Sequence, residues 1–262
     1  MTDSLRPQDQ WIATPGGRLF ARRWPGANAV AAPIVLFHDS LGCVELWRDF
    51  PERLAAATGR TVIAYDRLGF GRSDAHPGLL STRFIGEEAA QFFPLLCEQL
   101  GIDDFIAFGH SVGGAMAAHC AALFPQRCQA LVTESAQAFV EQRTRDGIAQ
   151  ARNEFAKPGQ LDRLVRYHGD KAAWVLAAWA ETWLSDAFAP WTLAAGSPQL
   201  ECPLLVLHGS EDEYGSSRHP QLIAELAADA EMLILPQLHH VPHREQPETV
   251  LAAVARFLAA RG

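Results

Sequence analysis

The stretch Phe105-Ile-Ala-Phe-Gly109-His110-Ser111-Val112-Gly113-Gly114-Ala-Met-Ala-Ala118 decides the reading of this chain. A short apolar run, the mark of a strand, passes through G-x-S-x-G into a helix of small residues. So sharp a strand-to-helix turn strains the backbone at Ser111, and glycines at 109 and 113 leave room for strand and helix to approach each other. The serine hydroxyl is raised above the sheet edge at a helix start, where the helix dipole and the free N–H of Val112 face any oxyanion formed there. A glycine-rich turn whose serine merely caps the next helix would also explain the motif, but it leaves the partners found further along the chain unexplained.

Working outward, apolar runs recur at Ile34–Phe37, Thr61–Ala64, Ala130–Val132, Leu204–Leu207 and Met232–Leu235. Runs apolar on both faces suit parallel strands covered by helices on each side. Helical segments are expected at 45–58, 82–100, 111–123, 217–227 and 246–260, giving the β-α alternation of a doubly wound, mostly parallel α/β sheet. A hairpin precedes them, with Trp11–Ala13 and Leu19–Ala21 flanking a Pro15-Gly16-Gly17 turn, and it belongs at a sheet edge. From 136 to 199 the rhythm breaks into helical patterns without a strand. Residues 136–199 are therefore expected to form a helical cap inserted into a core of residues 1–135 and 200–262.

A serine needs an imidazole to take its proton, and the imidazole needs an acid to orient it. The cluster Leu238-His239-His240-Val241-Pro242-His243 follows the last apolar run and precedes the final helix, which puts it above the carboxyl ends of the strands. The run Leu204–Leu207 leads through His208-Gly209 to Glu211-Asp212-Glu213, where Asp212 is favoured and either glutamate is an alternative. The order serine, acid, histidine agrees with the nucleophile-elbow arrangement.

The bulk properties are consistent with this. The 262 residues, 48% hydrophobic and 20% charged, suit one α/β unit with a small insertion. No apolar stretch is long enough to span a bilayer, and a net charge of -8 disfavours a nucleic-acid partner. Neither membrane nor nucleic acid is expected as a partner; a small ester-like molecule is. The five cysteines show no C-x-x-C spacing, so neither a zinc site nor a redox pair is expected, and the N-terminal MTDSLRPQDQW has no secretory pattern, which makes the cytoplasm the expected location.

Five segments together carry a resemblance to the α/β-hydrolase superfamily: H-D-S-L-G at 38–42, Tyr65–Ser73, G-H-S-V-G-G at 109–114, L-H-G-S-E-D at 207–212, and H-x-P-H-x-E-x-P from His240 to Pro247. The resemblance implies that Ser111, Asp212 and His240 form a catalytic triad, selecting His240 from its cluster. It also implies an oxyanion hole from the N–H groups of Ser40 and Val112, with no metal or organic cofactor. The sequence departs from the family at Asp39, where glycine is usual after His38, and at His239, where glycine is usual before His240. Such an enzyme is expected to cleave a small carboxylic ester through an acyl-enzyme on Ser111. Lactone, thioester or carbon-carbon bond hydrolysis is the alternative within the family, and a receptor-like binding module the alternative outside enzymes. The chain is similar to valacyclovir-hydrolase-like esterases, but Val112 stands where those carry an acid for an amino group, which argues against an α-amino ester. Its Ser40-Leu41-Gly42 is similar to enol-lactonases. Serine at 111 argues against dehalogenases and epoxide hydrolases, which need an aspartate there. Trp179 and Trp183, on one helical face with Val175, and His110 beside the nucleophile are the candidate pocket residues. Gluing the cap to the core is an equal alternative for the tryptophans.

Overall fold

The structure is a computed structural model that describes residues 6–195 and 200–261. Eight strands form one sheet: β1 (Gln8–Thr14), β2 (Gly17–Trp24), β3 (Ile34–Phe37), β4 (Val62–Tyr65), β5 (Phe105–His110), β6 (Cys128–Glu134), β7 (Leu204–Gly209) and β8 (Ala230–Leu235). Their spatial order is β1-β2-β4-β3-β5-β6-β7-β8. The hairpin β1–β2 is antiparallel and occupies one edge as expected, β2 pairs antiparallel with β4, and all later pairs are parallel. After β3 the chain steps outward to β4, then returns past β3 to lay down β5 on its other side. The carboxyl ends of β3 and β5 therefore flank the point where the winding reverses, the place where such sheets open a crevice.

Alternate residues of the central strands feed two cores. Val35, Phe37, Ala107 and Leu131 pack on one face of the sheet, and Ile34, Leu36, Ile106, Phe108 and Val132 on the other. Burial on both faces is why these strands read as unbroken apolar runs. The exception is β8, the far edge, where Met232 and Ile234 are about two-fifths exposed. An edge strand can be apolar on both faces without both being covered.

The helix expected at 82–100 runs without interruption from Phe84 to Leu100 but is not α-helical throughout. Helical turns at Phe84–Glu87 and Phe93–Leu100 are joined by a π turn at Glu88–Phe92. Pro94 supplies no N–H for an α-type bond to the preceding turn, and the chain widens there to accommodate it.

Between β6 and β7 lie helices Gln142–Phe155, Asp162–His168 and Ala172–Leu184. Residues 196–199 of the expected cap lie outside the described residues. A bridge between Phe139 and Thr192 ties the start of this insertion to its end. Polar contacts then fix it over the sheet: Lys171 Nζ donates to Gly71 O (2.9 Å), Gly71 N–H to His168 Nδ1 (2.9 Å) and Trp174 Nε1 to Gly78 O (2.8 Å).

Candidate active site

The candidate nucleophile, base, acid and oxyanion-hole residues all follow a strand's carboxyl end. Ser40 follows β3, Ser111 follows β5, Asp212 follows β7 and His240 follows β8. Because these strands are parallel, four segments far apart in sequence meet over one edge.

Ser111 sits at φ 55° and ψ −127°, outside the regions a side chain normally tolerates. Helix Val112–Leu123 begins immediately after it. Any side chain at 109 would place its Cβ 2.1 Å from Gly113 O, and at 113 a Cβ would stand 2.1 Å from Phe37 O. Both glycines are thus required by close backbone approach, as the sequence pattern implies. The N–H of Val112, in the first helical turn, has no acceptor within the helix.

Ser111 Oγ lies 3.0 Å from His240 Nε2, and His240 Nδ1 lies 2.9 Å from each carboxylate oxygen of Asp212. Asp212 Oδ1 also accepts the N–H groups of Tyr214 (2.8 Å) and Gly215 (3.1 Å), which fixes the carboxylate. Burial acts to raise the Asp212 pKa, but the imidazoles of His240 and His208 and the backbone donors outweigh it and bring it to about 2. Glu211 and Glu213, the alternatives in sequence, are exposed. Two contacts hold the acid and base loops together: Glu211 N–H donates to Leu238 O (2.9 Å), and Gln237 N–H to Ser210 Oγ (2.9 Å).

The histidine cluster resolves into three roles. His240 faces the serine. His239 turns outward, its ring 3.3 Å from Glu245 Oε2, while Glu245 also accepts the N–H groups of His239 (2.8 Å) and Val241 (3.0 Å). Because its ring turns outward, the histidine in place of the usual glycine leaves the base undisturbed. His243 is buried and pairs with Glu134 at 2.5 Å.

A cavity of about 150 Å³ opens over the serine, lined by Ser111, His240, Ser40, Leu41, Asp39, Gln137, Thr144, Ile148, Trp179, Trp183 and Tyr214. Trp179 and Trp183 stand in its lining and also pack the insertion: Trp183 meets Phe188 at 5.1 Å and Trp191 at 5.8 Å. Trp174 and Trp191 do not line it; Trp174 packs on Phe70 and His76 instead.

His110 is the expectation the structure corrects. It lies outside the cavity lining, 1% exposed, because β5 directs its side chain to the face of the sheet opposite the insertion, against Trp47 and His243. There His110 Nε2 faces His240 O at 2.7 Å and its Nδ1 faces Asp39 Oδ2 at 3.4 Å. Its pKa is raised: burial would lower it, but Asp39, Glu134 and the His240 carbonyl overcome that. Asp39 in turn is held far below the usual carboxylate range, since His110 outweighs its own burial. The residue that departs from the family pattern at 39 thus has a partner.

Of the cavity residues not singled out in the sequence, two adjoin the Ser111–His240 pair. Gln137, 3% exposed, places its Oε1 3.4 Å from Ser111 Oγ. Serine has one proton, aimed at His240, so Gln137 meets the reacting oxygen as an amide able to present oxygen or, turned over, NH2. Tyr214 packs its ring 4.8 Å from that of His240, and burial pushes its hydroxyl up to about 12. Their positions carried the signal: Gln137 follows the end of β6, and Tyr214 stands two residues past the acid.

Residues 32–177 match the α/β hydrolase fold family, and the chain belongs to it. Over 131 residues, 48% of this chain, it is 31% identical to the human 1-acylglycerol-3-phosphate O-acyltransferase ABHD5, spanning 36% of that protein. Over 86 residues, 33% of this chain, it is 31% identical to a proline iminopeptidase of Lactobacillus delbrueckii subsp. lactis, spanning 29% of it. The matched stretches thus span about a third of these relatives' lengths. Among solved structures, proline iminopeptidase of Mycobacterium smegmatis superposes with a TM-score of 0.72 at 21% identity, covering 97% of this chain and 98% of that one. A thermophilic esterase from Thermogutta terrifontis gives 0.70 at 22% identity, with the same coverages of 97% and 98%. At such identities the likeness is one of fold.

Proposed function

We propose that this protein is a serine hydrolase that cleaves a small carboxylic ester through an acyl-enzyme on Ser111. The observation that carries the reading is the unbroken chain Ser111 Oγ, His240 Nε2, His240 Nδ1, Asp212, with contacts of 3.0 and 2.9 Å, beneath a cavity. In this mechanism Ser111 Oγ attacks the ester carbonyl carbon as its proton passes to His240 Nε2. The buried Asp212 stabilises the resulting imidazolium and holds the tautomer that leaves Nε2 free to accept. The N–H groups of Val112 and Ser40 receive the negative charge that builds on the carbonyl oxygen. His240 then protonates the departing alkoxide, and water, activated by the same base, releases the acid and restores Ser111.

No helix among the described residues is long and apolar enough to cross a membrane. The reading assigns the protein a small-molecule substrate, no cofactor and a cytoplasmic location. Steady-state hydrolysis of p-nitrophenyl butyrate tests it: turnover is expected in the wild type and a loss of at least a thousandfold in kcat for Ser111→Ala. Equal turnover by the folded variant would refute the assignment.

A further inference from the structure

We propose that the cavity over Ser111 is an acyl pocket for an uncharged group of about the size of a benzene ring, selecting against acyl parts that carry a carboxylate. This rests on the serine-hydrolase reading above and adds the substrate class to it. Size comes first. A volume of about 150 Å³ is comparable to that of an apolar protein cavity known to take up benzene. Leu41, Ile148, Trp179 and Trp183 give the lining its apolar area, and Thr144 and Gln137 add neutral polar groups.

Charge is the sharper criterion. Among the described residues lining the cavity there is no lysine or arginine. Two carboxylates lie close by, Asp39 in the wall and Asp212 behind His240, and both are held ionised by their partners. A substrate carboxylate entering here would be desolvated with no lysine or arginine in the described lining to pair with it, and the Asp212 carboxylate behind His240 adds like charge. Arg67 does not supply the missing cation. It borders a separate small void behind Ser40, Trp179 and Trp183, where its Nη2 donates to Asp39 O (2.8 Å) and its guanidinium lies over Phe70 at 4.2 Å.

A substrate ammonium is not favoured either. The acidic residue of the lining, Asp39, turns its carboxylate to Leu41 N–H at 2.9 Å and to His110 at 3.4 Å. An incoming ammonium would have to displace contacts that the carboxylate already makes. What remains is a neutral acyl group, with Gln137 beside the reacting oxygen to accept or donate one hydrogen bond.

The test compares three methyl esters of similar length on the full chain, by methanol release: methyl valerate, monomethyl glutarate and methyl 5-aminopentanoate. A fluorophosphonate probe of Ser111 is run alongside. The neutral ester is expected to exceed the glutarate at least a hundredfold in kcat/KM and to be matched or exceeded by neither charged ester. Methyl benzoate should likewise exceed methyl 4-phenylbenzoate at least tenfold. Leu41→Lys, which places a cation in the lining, should raise the glutarate-to-valerate ratio at least tenfold; should that variant not fold, the wild-type comparison decides alone. Glutarate within a hundredfold of valerate, the ammonium ester level with or ahead of it, or methyl 4-phenylbenzoate within tenfold of methyl benzoate overturns the proposal. So does probe labelling of Ser111 with no turnover of any ester, while absence of labelling overturns the underlying serine-hydrolase reading instead.

Discussion

Replacing Asp212 with asparagine tests the orienting role of the acid in a way the geometry makes quantitative. Asp212 Oδ1 accepts two backbone N–H groups, from Tyr214 and Gly215, while both its oxygens lie 2.9 Å from His240 Nδ1. An asparagine has one oxygen and one NH2. The two backbone donors claim the oxygen, so the NH2 is turned towards Nδ1, which must then be the unprotonated nitrogen. The ring proton moves to Nε2, the atom that should accept from Ser111. Enforcing the wrong tautomer is worth on the order of 10³ to 10⁴ in rate, or about 4 to 5.5 kcal/mol of transition-state stabilisation. The assay is kcat on p-nitrophenyl butyrate, with circular dichroism to show that the fold is retained. A folded Asp212→Asn variant keeping more than a tenth of wild-type kcat would refute the reasoning, because it would mean the contact neither orients nor charges the base.

Other consequences are more local. Gly113→Ala should abolish soluble, folded protein or lower Tm severely, because its Cβ would stand 2.1 Å from the carbonyl oxygen of Phe37 in β3; an unchanged Tm would contradict that packing. Ser40→Ala should leave kcat within about threefold if only its backbone serves the oxyanion, whereas a drop of tenfold or more would assign a role to the hydroxyl. The Asp212 pKa, lowered to about 2 in the fold, means stability present above the unfolded value of 3.8 and lost as pH falls through about 2. That difference is worth about 2 kcal/mol, so Asp212→Asn should flatten the pH dependence of the unfolding free energy over this range. His110 has the opposite sign: its raised pKa gives stability present below 6.5 and lost as pH rises through the folded value. Asp39→Asn should bring the His110 titration, followed by NMR of the ring protons, to lower pH; no movement would show that Asp39 is not the cause.

The elements most legible in sequence were those whose cause is local. Glycines at 109 and 113 announce a turn that needs them, and the apolar runs at 34–37 and 105–108 announce strands covered on both faces. Order along the chain then brought Asp212 and His240 to the same edge, since parallel strands end together. What was not legible depended on contacts between distant segments. His110 adjoins the nucleophile in sequence, yet strand alternation turns it away from the cavity to Asp39, 71 positions earlier by number, and to the His240 carbonyl. Gln137 carries no motif, and it matters only because β6 ends beside β5. Likewise, nothing local distinguishes Met232–Leu235 as an edge strand from the buried ones, because its exposure is decided by what fails to cover it.

The most direct measurement is mass spectrometry of the enzyme quenched during turnover of a slowly deacylating ester. The account predicts a stoichiometric acyl adduct on the peptide containing Ser111, absent from Ser111→Ala and accumulating far more slowly in a folded His240→Ala variant. An adduct on another residue, or full ester turnover with none on Ser111 under conditions that trap acyl-enzymes, would contradict it.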